Sequence, residues 1–281
     1  MSRDVLAAMA RAVEVALAED LDAAGDITTD AVVPQGAPVK AQIRSRQSGR
    51  VAGVDCIEIA FSKLPEPAQV AVVAGDGSDV VPGEVVARIS GSARTILTTE
   101  RTILNILCRL SGIATATASA VSQVASHRAV IKDSRKTTPG LRALEKYAVA
   151  VGGGVNHRIG LYDAMLIKDN HIALAGSITA AVERVRSRRG DSMPIQVEVD
   201  SLEQLDEALR CRAESVLLDN FPLDLLRQAV TLVAGRCLTE ASGGVTPANV
   251  GEVAATGVDA ISLGWLTHSA PALDLGLDFE L

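Results

Sequence analysis

The chain has 281 residues, of which 48% are apolar but only 2% aromatic, and a formal net charge of -7. That acidity argues against a basic nucleic-acid-binding face, and an aliphatic chain of this length suits many parallel strands covered by helices. Cys56, Cys108, Cys211 and Cys237 are scattered without a C-x-x-C pair, which excludes a small disulfide scaffold and reads as small buried hydrophobes in a reducing compartment. The N-terminal stretch lacks a charge-free apolar core, and no later apolar run reads as long enough to cross a bilayer; the expectation is a cytoplasmic protein with no membrane partner.

Residues 3–20 place Leu6, Met9, Ala10, Val13 and Leu17 on one helical face, with Arg3, Arg11, Glu14 and Glu19 elsewhere. Residues 25–29 are turn-like, and their acid is read as a cap or a solvated charge, not a catalyst. Strand signals follow at 39–46, 49–54, 70–74 and 85–89, punctuated by Gly75-Asp76-Gly77 and Pro82-Gly83. Residues 75–91 also resemble the hammerhead of biotinyl and lipoyl carriers, but they contain no lysine to carry a cofactor, so they read as a sheet module used for packing. From residue 92 to about 126 the pattern is helical. Gly112 is read as a break in it and as the domain boundary, giving an N-terminal α+β domain over 1–112, with which the tail 269–281 is expected to pack, and a second domain over 113–268.

After residue 128 a unit repeats. Apolar strands are predicted at 129–133, 165–169, 195–199, 215–219, 237–241 and 260–264, with helical segments at 141–151, 178–188, 202–212, 222–233 and 247–255. This alternation predicts parallel strands with right-handed crossovers. In a parallel barrel the C-terminal strand ends share one mouth; here they supply Asp133, Lys168 with Asp169, Glu198, Asp219, Glu240 and Ser262. Arg135, Lys136, His157, Arg158, Lys168 and His171 add a local cationic cluster to an acidic chain, which implies a small anionic ligand. The planar forks of Arg135 and Arg158 suit carboxylates, and the helix-borne Arg142 and Lys146 read as a solvated face. Glu198 and Asp219, on neighbouring strands, suit Mg²⁺ or ribose hydroxyls. Ser242-Gly243-Gly244 before Thr246-Pro247 reads as a phosphate cradle, with Thr246 as the N-cap of a helix; Ser262-Leu263-Gly264 extends it, and His268 reads either as a further phosphate contact or as a capping or structural residue.

The ordered set Asp133 to Arg142, Glu145 to Ala148, Gly152-Gly153-Gly154, His157-Arg158 and Leu166 to His171, together with Thr99 to Asn105, resembles quinolinate phosphoribosyltransferase over nearly the whole chain. Ser134 stands where the family pattern has Thr, and either hydroxyl donates to an anion. The resemblance implies an α/β fold: an open six-stranded parallel α/β barrel plus an N-terminal α+β domain with an antiparallel sheet. It implies transfer of the phosphoribosyl group of 5-phosphoribosyl 1-diphosphate to quinolinate with loss of CO₂, giving nicotinate mononucleotide for NAD synthesis. Lys136, Lys168, Glu198 and Asp219 are the implied catalytic residues, with Glu198 and Asp219 on the donor and its Mg²⁺. Quinolinate and the donor would be bound by Ser134, Arg135, Lys136, His157, Arg158, Lys168, Ser242, Gly243, Gly244, Ser262, Leu263, Gly264 and His268. Arg101 is implied to reach the neighbouring subunit's site in a homodimer. Rival readings are a class I aldolase-like barrel with a Schiff base on Lys136 or Lys168, a nicotinate phosphoribosyltransferase, a paralogue of the same superfamily linked to molybdate transport, and a non-catalytic anion sensor.

Overall fold

Helix α1 (Arg3–Leu21) buries Met9, Val13 and Leu17, and Ser2 caps it by accepting the Val5 N–H; Leu6, assigned to the same face, is 38% exposed. The turn-like segment after it opens a second helix, α2 (Ile27–Val32), and its acid Asp26 is the cap, accepting the Thr29 N–H. The computed structural model describes residues 1–189 and 193–280. They form two units, one made of Met1–Ala118, Thr137–Gly153 and Ser269–Leu281, the other of Ser119–Lys136 and Gly154–His268.

The first unit continues with β1 (Pro38–Ser45), β2 (Gly49–Arg50), α3 (Asp55–Phe61), β3 (Ala68–Val72), β4 (Asp79–Val80) and β5 (Val85–Ser92). The strand predicted over 49–54 shrinks to β2. Beyond it the backbone bonds leave the ladder: Ala52 N–H donates to Ser111 Oγ, and the Gly53 and Val54 N–H groups both donate to Asp76 Oδ1. Helix α3 carries no signal that the sequence reading used.

Helix α4 (Ala93–Val124) runs 32 residues without interruption, which corrects the break expected at Gly112. A Cβ on Gly112 would lie 2.1 Å from the Pro271 carbonyl oxygen. The glycine therefore serves close backbone approach and does not end the helix. Gly112→Ala is expected to destabilise the protein by about 1–3 kcal/mol, read from the denaturant midpoint, because the carbonyl is backbone and moves only with the chain. Contrary to the sequence expectation, α4 is also long and apolar enough to cross a bilayer, but 56% of the apolar window is buried. Ile96, Ile103, Leu104, Leu107, Leu110 and Ile113 are core residues, so its length serves the interior of the protein.

The second unit begins its sheet with β6 (Val130–Lys132). The chain then forms α5 (Arg142–Val151), which belongs to the first unit. Lys146 on α5 is 2% exposed, so the solvated face assigned to it is wrong; Arg142 is half-buried and donates to Thr137 Oγ1. The adjacent Glu145 is fully buried and ion-paired to Arg109 at 2.8 Å, and it also accepts the Thr138 N–H and hydroxyl. With Arg109 donating from both Nε and Nη2, these donors compensate its desolvation.

The repeat then follows: β7 (Met165–Ile167), α6 (Asp169–Ala175), α7 (Ile178–Arg189), β8 (Ile195–Val199), α8 (Leu202–Arg210), β9 (Ser215–Asp219), α9 (Leu223–Val233), β10 (Leu238–Ser242), α10 (Val250–Ala254), β11 (Ala260–Ser262) and α11 (Trp265–His268). Back in the first unit, β12 (Leu275–Glu280) closes the chain and pairs antiparallel with β1, completing the order β12-β1-β5-β3. The second sheet has the order β6-β11-β10-β9-β8-β7 and every pairing in it is parallel. Its edges are β6 and β7, so the six-stranded barrel is open between them; an isolated bridge, Lys132 to Val155, touches the outer edge of β6.

Period-two alternation decides which side chains reach the barrel interior. Ile131, Ile167, Val197, Val216, Leu218 and Ile261 are buried on the outer side, under the helices. The alternate positions face inward, and the last of them on each strand or just past it are Ser134, Lys168, Glu198, Asp219, Ser242 and Ser262. A polar residue closing each apolar run is thus the inward residue nearest the mouth.

Candidate active site

Those inward residues line one cavity of about 370 Å³ in the second unit. Arg135, Lys136, Arg158 and Lys168 line it together with His157 and the carboxylates of Glu198 and Asp219; Ser134, Ser242 and Ser262 add hydroxyls, and Leu166 and Leu217 an apolar contribution. Burial, and next the charge of Arg135, hold the Arg158 guanidinium below its ordinary pKa. Arg158 Nη1 donates to the Ala164 carbonyl at 3.3 Å, while Arg135 Nε is buried with no hydrogen-bond partner among the described residues. Two guanidiniums held together, one with an unmet donor, form a site short of negative charge.

Burial pushes the Glu198 carboxyl above the usual carboxylate range, against the pull of Lys168, whose Nζ is 3.3 Å away; the charges of Asp219 and Asp169 push the same way as burial. Asp219 Oδ2 accepts Asn220 Nδ2 at 2.7 Å. Asn220 is itself left-handed, at φ 57°, with its N–H on the Ser242 carbonyl at 2.8 Å. That places the Asn220 side chain against the glycine loop: a Cβ on Gly243 would lie 2.2 Å from Asn220 Oδ1. Gly243 and Gly244 have φ of 86° and 62°, so the loop requires glycine twice over.

The helix start expected at Thr246-Pro247 is not there. Residues 247–249 form a turn, Thr246 gives its N–H to Asn249 Oδ1, and α10 begins at Val250 and is five residues long. The cradle is therefore built by left-handed glycine backbone and not by a helix terminus. A Cβ on Gly264 would meet Lys136 Cδ at 2.9 Å, Ser134 Oγ at 3.3 Å and His268 Nε2 at 3.4 Å, so these residues converge. Leu263 is buried in the barrel wall and contributes its N–H, which donates to the Lys132 carbonyl.

Some expected mouth residues sit elsewhere. Glu240 is not at the mouth: β10 runs on to Ser242, which leaves Glu240 one inward position lower. Asp133 is fully buried and accepts the His157 N–H at 2.8 Å, Asp169 opens α6 and is exposed, and His171 turns its Nδ1 to the Lys168 N–H at 3.0 Å. Arg101 lies on α4 in the first unit, exposed, with Nη2 3.8 Å from Glu100 Oε1. Sequence reasoning missed Leu166, Leu217, Gln196 and Thr267. Gln196 lies 3.2 Å from the His157 ring, and Thr267 Oγ1 donates to the Lys136 carbonyl at 2.7 Å. A polar residue two positions before Glu198 in a buried strand was the available signal for Gln196.

The N-terminal domain model of the quinolinate phosphoribosyl transferases matches residues 26–111, and the C-terminal domain model matches residues 113–278. The chain belongs to the quinolinate phosphoribosyltransferase family. The two models meet inside the unbroken helix α4. The nicotinate-nucleotide pyrophosphorylase (carboxylating) of Mycobacterium leprae (strain TN) is 46% identical over 268 residues, covering 94% of each chain. A probable enzyme of the same name from Bacillus subtilis (strain 168) is 44% identical, covering 92% of this chain and 89% of its own. The solved nicotinate-nucleotide pyrophosphorylase of Francisella tularensis superposes with a TM-score of 0.93 at 36% identity, covering 100% of this chain and 98% of that one. For a quinolinate phosphoribosyltransferase the aldolase alternative falls away, and the ion pair of Lys168 with Glu198 gives that lysine a different occupation from Schiff-base chemistry.

Proposed function

We propose that the protein joins quinolinate to the phosphoribosyl group of 5-phosphoribosyl 1-diphosphate, releasing diphosphate and CO₂ and forming nicotinate mononucleotide for NAD synthesis. The names of the relatives describe the same chemistry in reverse, with diphosphate and CO₂ entering the mononucleotide. The observation that carries the reading is the incompletely satisfied arginine pair, Arg135 and Arg158, in one cavity with Glu198 and Asp219. A pyridine with two adjacent carboxylates supplies the missing acceptors, and Arg forks bind carboxylates bidentately.

In this reading Arg135 and Arg158 hold the ring carboxylates, and His157 lies against them. Ser134, Lys136, Ser242, Gly243, Gly244, Ser262, Gly264, His268 and the Leu263 backbone surround the phosphates of the donor, while Glu198 and Asp219 take the ribose hydroxyls. The bond from the ribose C1 to the diphosphate oxygen breaks with its electron pair leaving on diphosphate, and the pyridine nitrogen lone pair forms the new bond to C1. Charge spreads over C1 and its ring oxygen between these events. Glu198 and Asp219 favour that positive charge, and Lys136 and Lys168 favour the negative charge on the leaving group. Little covalent work falls to the protein beyond positioning. N-ribosylation makes the ring a cationic electron sink. The bond to the adjacent carboxylate then breaks with its electrons staying on the ring carbon, CO₂ departs, and that carbon takes up one proton.

The donor set fits Mg²⁺. Glu198 and Asp219 are hard oxygen donors on neighbouring strands, close enough for the charge of one to raise the pKa of the other. Bound there with the donor, the ion would supply charge neutralisation for the leaving diphosphate. No group of three or more His, Cys, Asp or Glu residues able to hold a metal occurs among the described residues, so the remaining ligands would come from the diphosphate and water. We also place the enzyme in the cytoplasm as a homodimer, with Arg101 of each chain serving the site of the other; its exposure and loose contact with Glu100 leave it available for that.

With phosphoribosyl diphosphate and Mg²⁺, the purified protein is expected to turn quinolinate into mononucleotide and an equal amount of CO₂, and to leave nicotinate unused. Turnover of nicotinate at a comparable rate, with no CO₂, would overturn the proposal in favour of the monocarboxylate enzyme. Binding of both substrates without product would favour the anion sensor.

A further inference from the structure

Beneath the cavity the barrel interior is polar, where aliphatic side chains normally fill such a layer. Lys132, Gln196 and Glu240 occupy inward positions two residues before Ser134, Glu198 and Ser242, and they come from the first, third and fifth strands of the repeat, the alternate strands that build one interior layer. Glu240 is 2% exposed. Its Oε2 accepts from Lys132 Nζ at 2.8 Å and Gln196 Nε2 at 3.1 Å, and its Oε1 accepts from the Ser262 hydroxyl and lies 3.4 Å from His157 Nε2. His157 Nε2 is also 3.2 Å from Gln196 Oε1.

The other ring nitrogen settles the tautomer. His157 Nδ1 accepts the backbone N–H of Arg158 at 2.8 Å, so it carries no proton and Nε2–H points into the layer, toward Glu240 and Gln196. The peptide on the other side of His157 is held as well, by Asp133 Oδ1. Both ring nitrogens are thus engaged within the protein. A second cavity of about 360 Å³, lined at the strand starts by Val130, Met165, Ser215 and Leu238, reaches the same layer from the far end of the barrel. The layer stands between the two cavities.

We infer that Glu240, with Gln196 and Lys132, is a positioning residue: it fixes the His157 ring and, through Nδ1, the Arg158 peptide, and so sets where the Arg158 guanidinium meets a ring carboxylate. This rests on the reading that Arg158 binds that carboxylate. A buried ion pair of this kind stabilises less than a packed aliphatic layer would, which suits a role in placement.

Glu240→Gln keeps the shape but loses the charge, and Gln196→Leu keeps the volume but removes one ring contact and is the milder change should the first fail to fold. Each is expected to raise the KM for quinolinate by about tenfold or more; with Gln196→Leu, which leaves the Ser262 bond to Glu240 in place, kcat and the KM for phosphoribosyl diphosphate should change less than about threefold. In an Arg158→Ala background, Glu240→Gln or Gln196→Leu should add little, because the effect acts through Arg158. A lower unfolding midpoint with both KM values unchanged, or full additivity with Arg158→Ala, would make the layer merely structural and overturn the inference. If Arg158→Ala itself leaves the KM for quinolinate unchanged, the carboxylate reading falls first, and the two failures are thereby told apart.

Discussion

An Arg135→Lys enzyme is expected to fold normally and bind phosphoribosyl diphosphate as before, yet to hold quinolinate about 10- to 100-fold more weakly. The charge is retained; the fork is not. Arg135 Nε is buried without a partner, so the site already bears the cost of a donor waiting for an acceptor. A ring carboxylate would meet Nε and a terminal nitrogen in two parallel bonds, whereas an ammonium offers a point charge and cannot place a donor at the Nε position. One charge-assisted hydrogen bond contributes about 1.5–3 kcal/mol, which is the affinity range given. Titration calorimetry with quinolinate and steady-state KM values for both substrates measure it. Unchanged affinity for quinolinate would remove the reason for assigning Arg135 to a carboxylate.

The second large effect concerns Arg101. Arg101→Ala and Lys136→Ala are each expected to be essentially inactive alone, and to recover activity when co-refolded. If each site takes Arg101 from one chain and Lys136 from the other, a mixed dimer carries one site with both defects and one with neither. Random pairing makes half of the dimers mixed, so the recovered activity should approach about a quarter of wild type. The result to look for is recovery that follows the mixing ratio. An inactive mixture in which mass spectrometry confirms mixed dimers would show that sites are not shared, and Arg101 would return to being a surface residue beside Glu100, where a pair at 3.8 Å contributes little.

The barrel was legible because its signal is doubled. Strands such as SVLLD and IQVEV are apolar on the helix-covered side and polar only at inward positions, the last of them at the mouth, so each run announces both its span and a functional residue. The observed strands fall within one or two residues of those predicted. What period and composition did not reveal are contacts between distant segments. Gly112 looks like a helix breaker until Pro271 is seen packed on it, Lys146 looks solvated until its helix is placed, and Glu240 looks like a mouth residue until β10 is seen to extend one residue further. Thr246-Pro247 failed for a local reason: the Asn249 side chain captured the Thr246 N–H and held the segment as a turn. The seven-residue helix α6, with no buried residue, had no periodic face to detect.

In the first unit strand β1 is flanked by β5 on one side and by β12 on the other, though the segments are far apart in sequence. Without β12 the β1 strand would present a bare edge, its ladder groups unpaired on that side. Loss of residues 275–280 would therefore leave a sheet open to pairing with other chains.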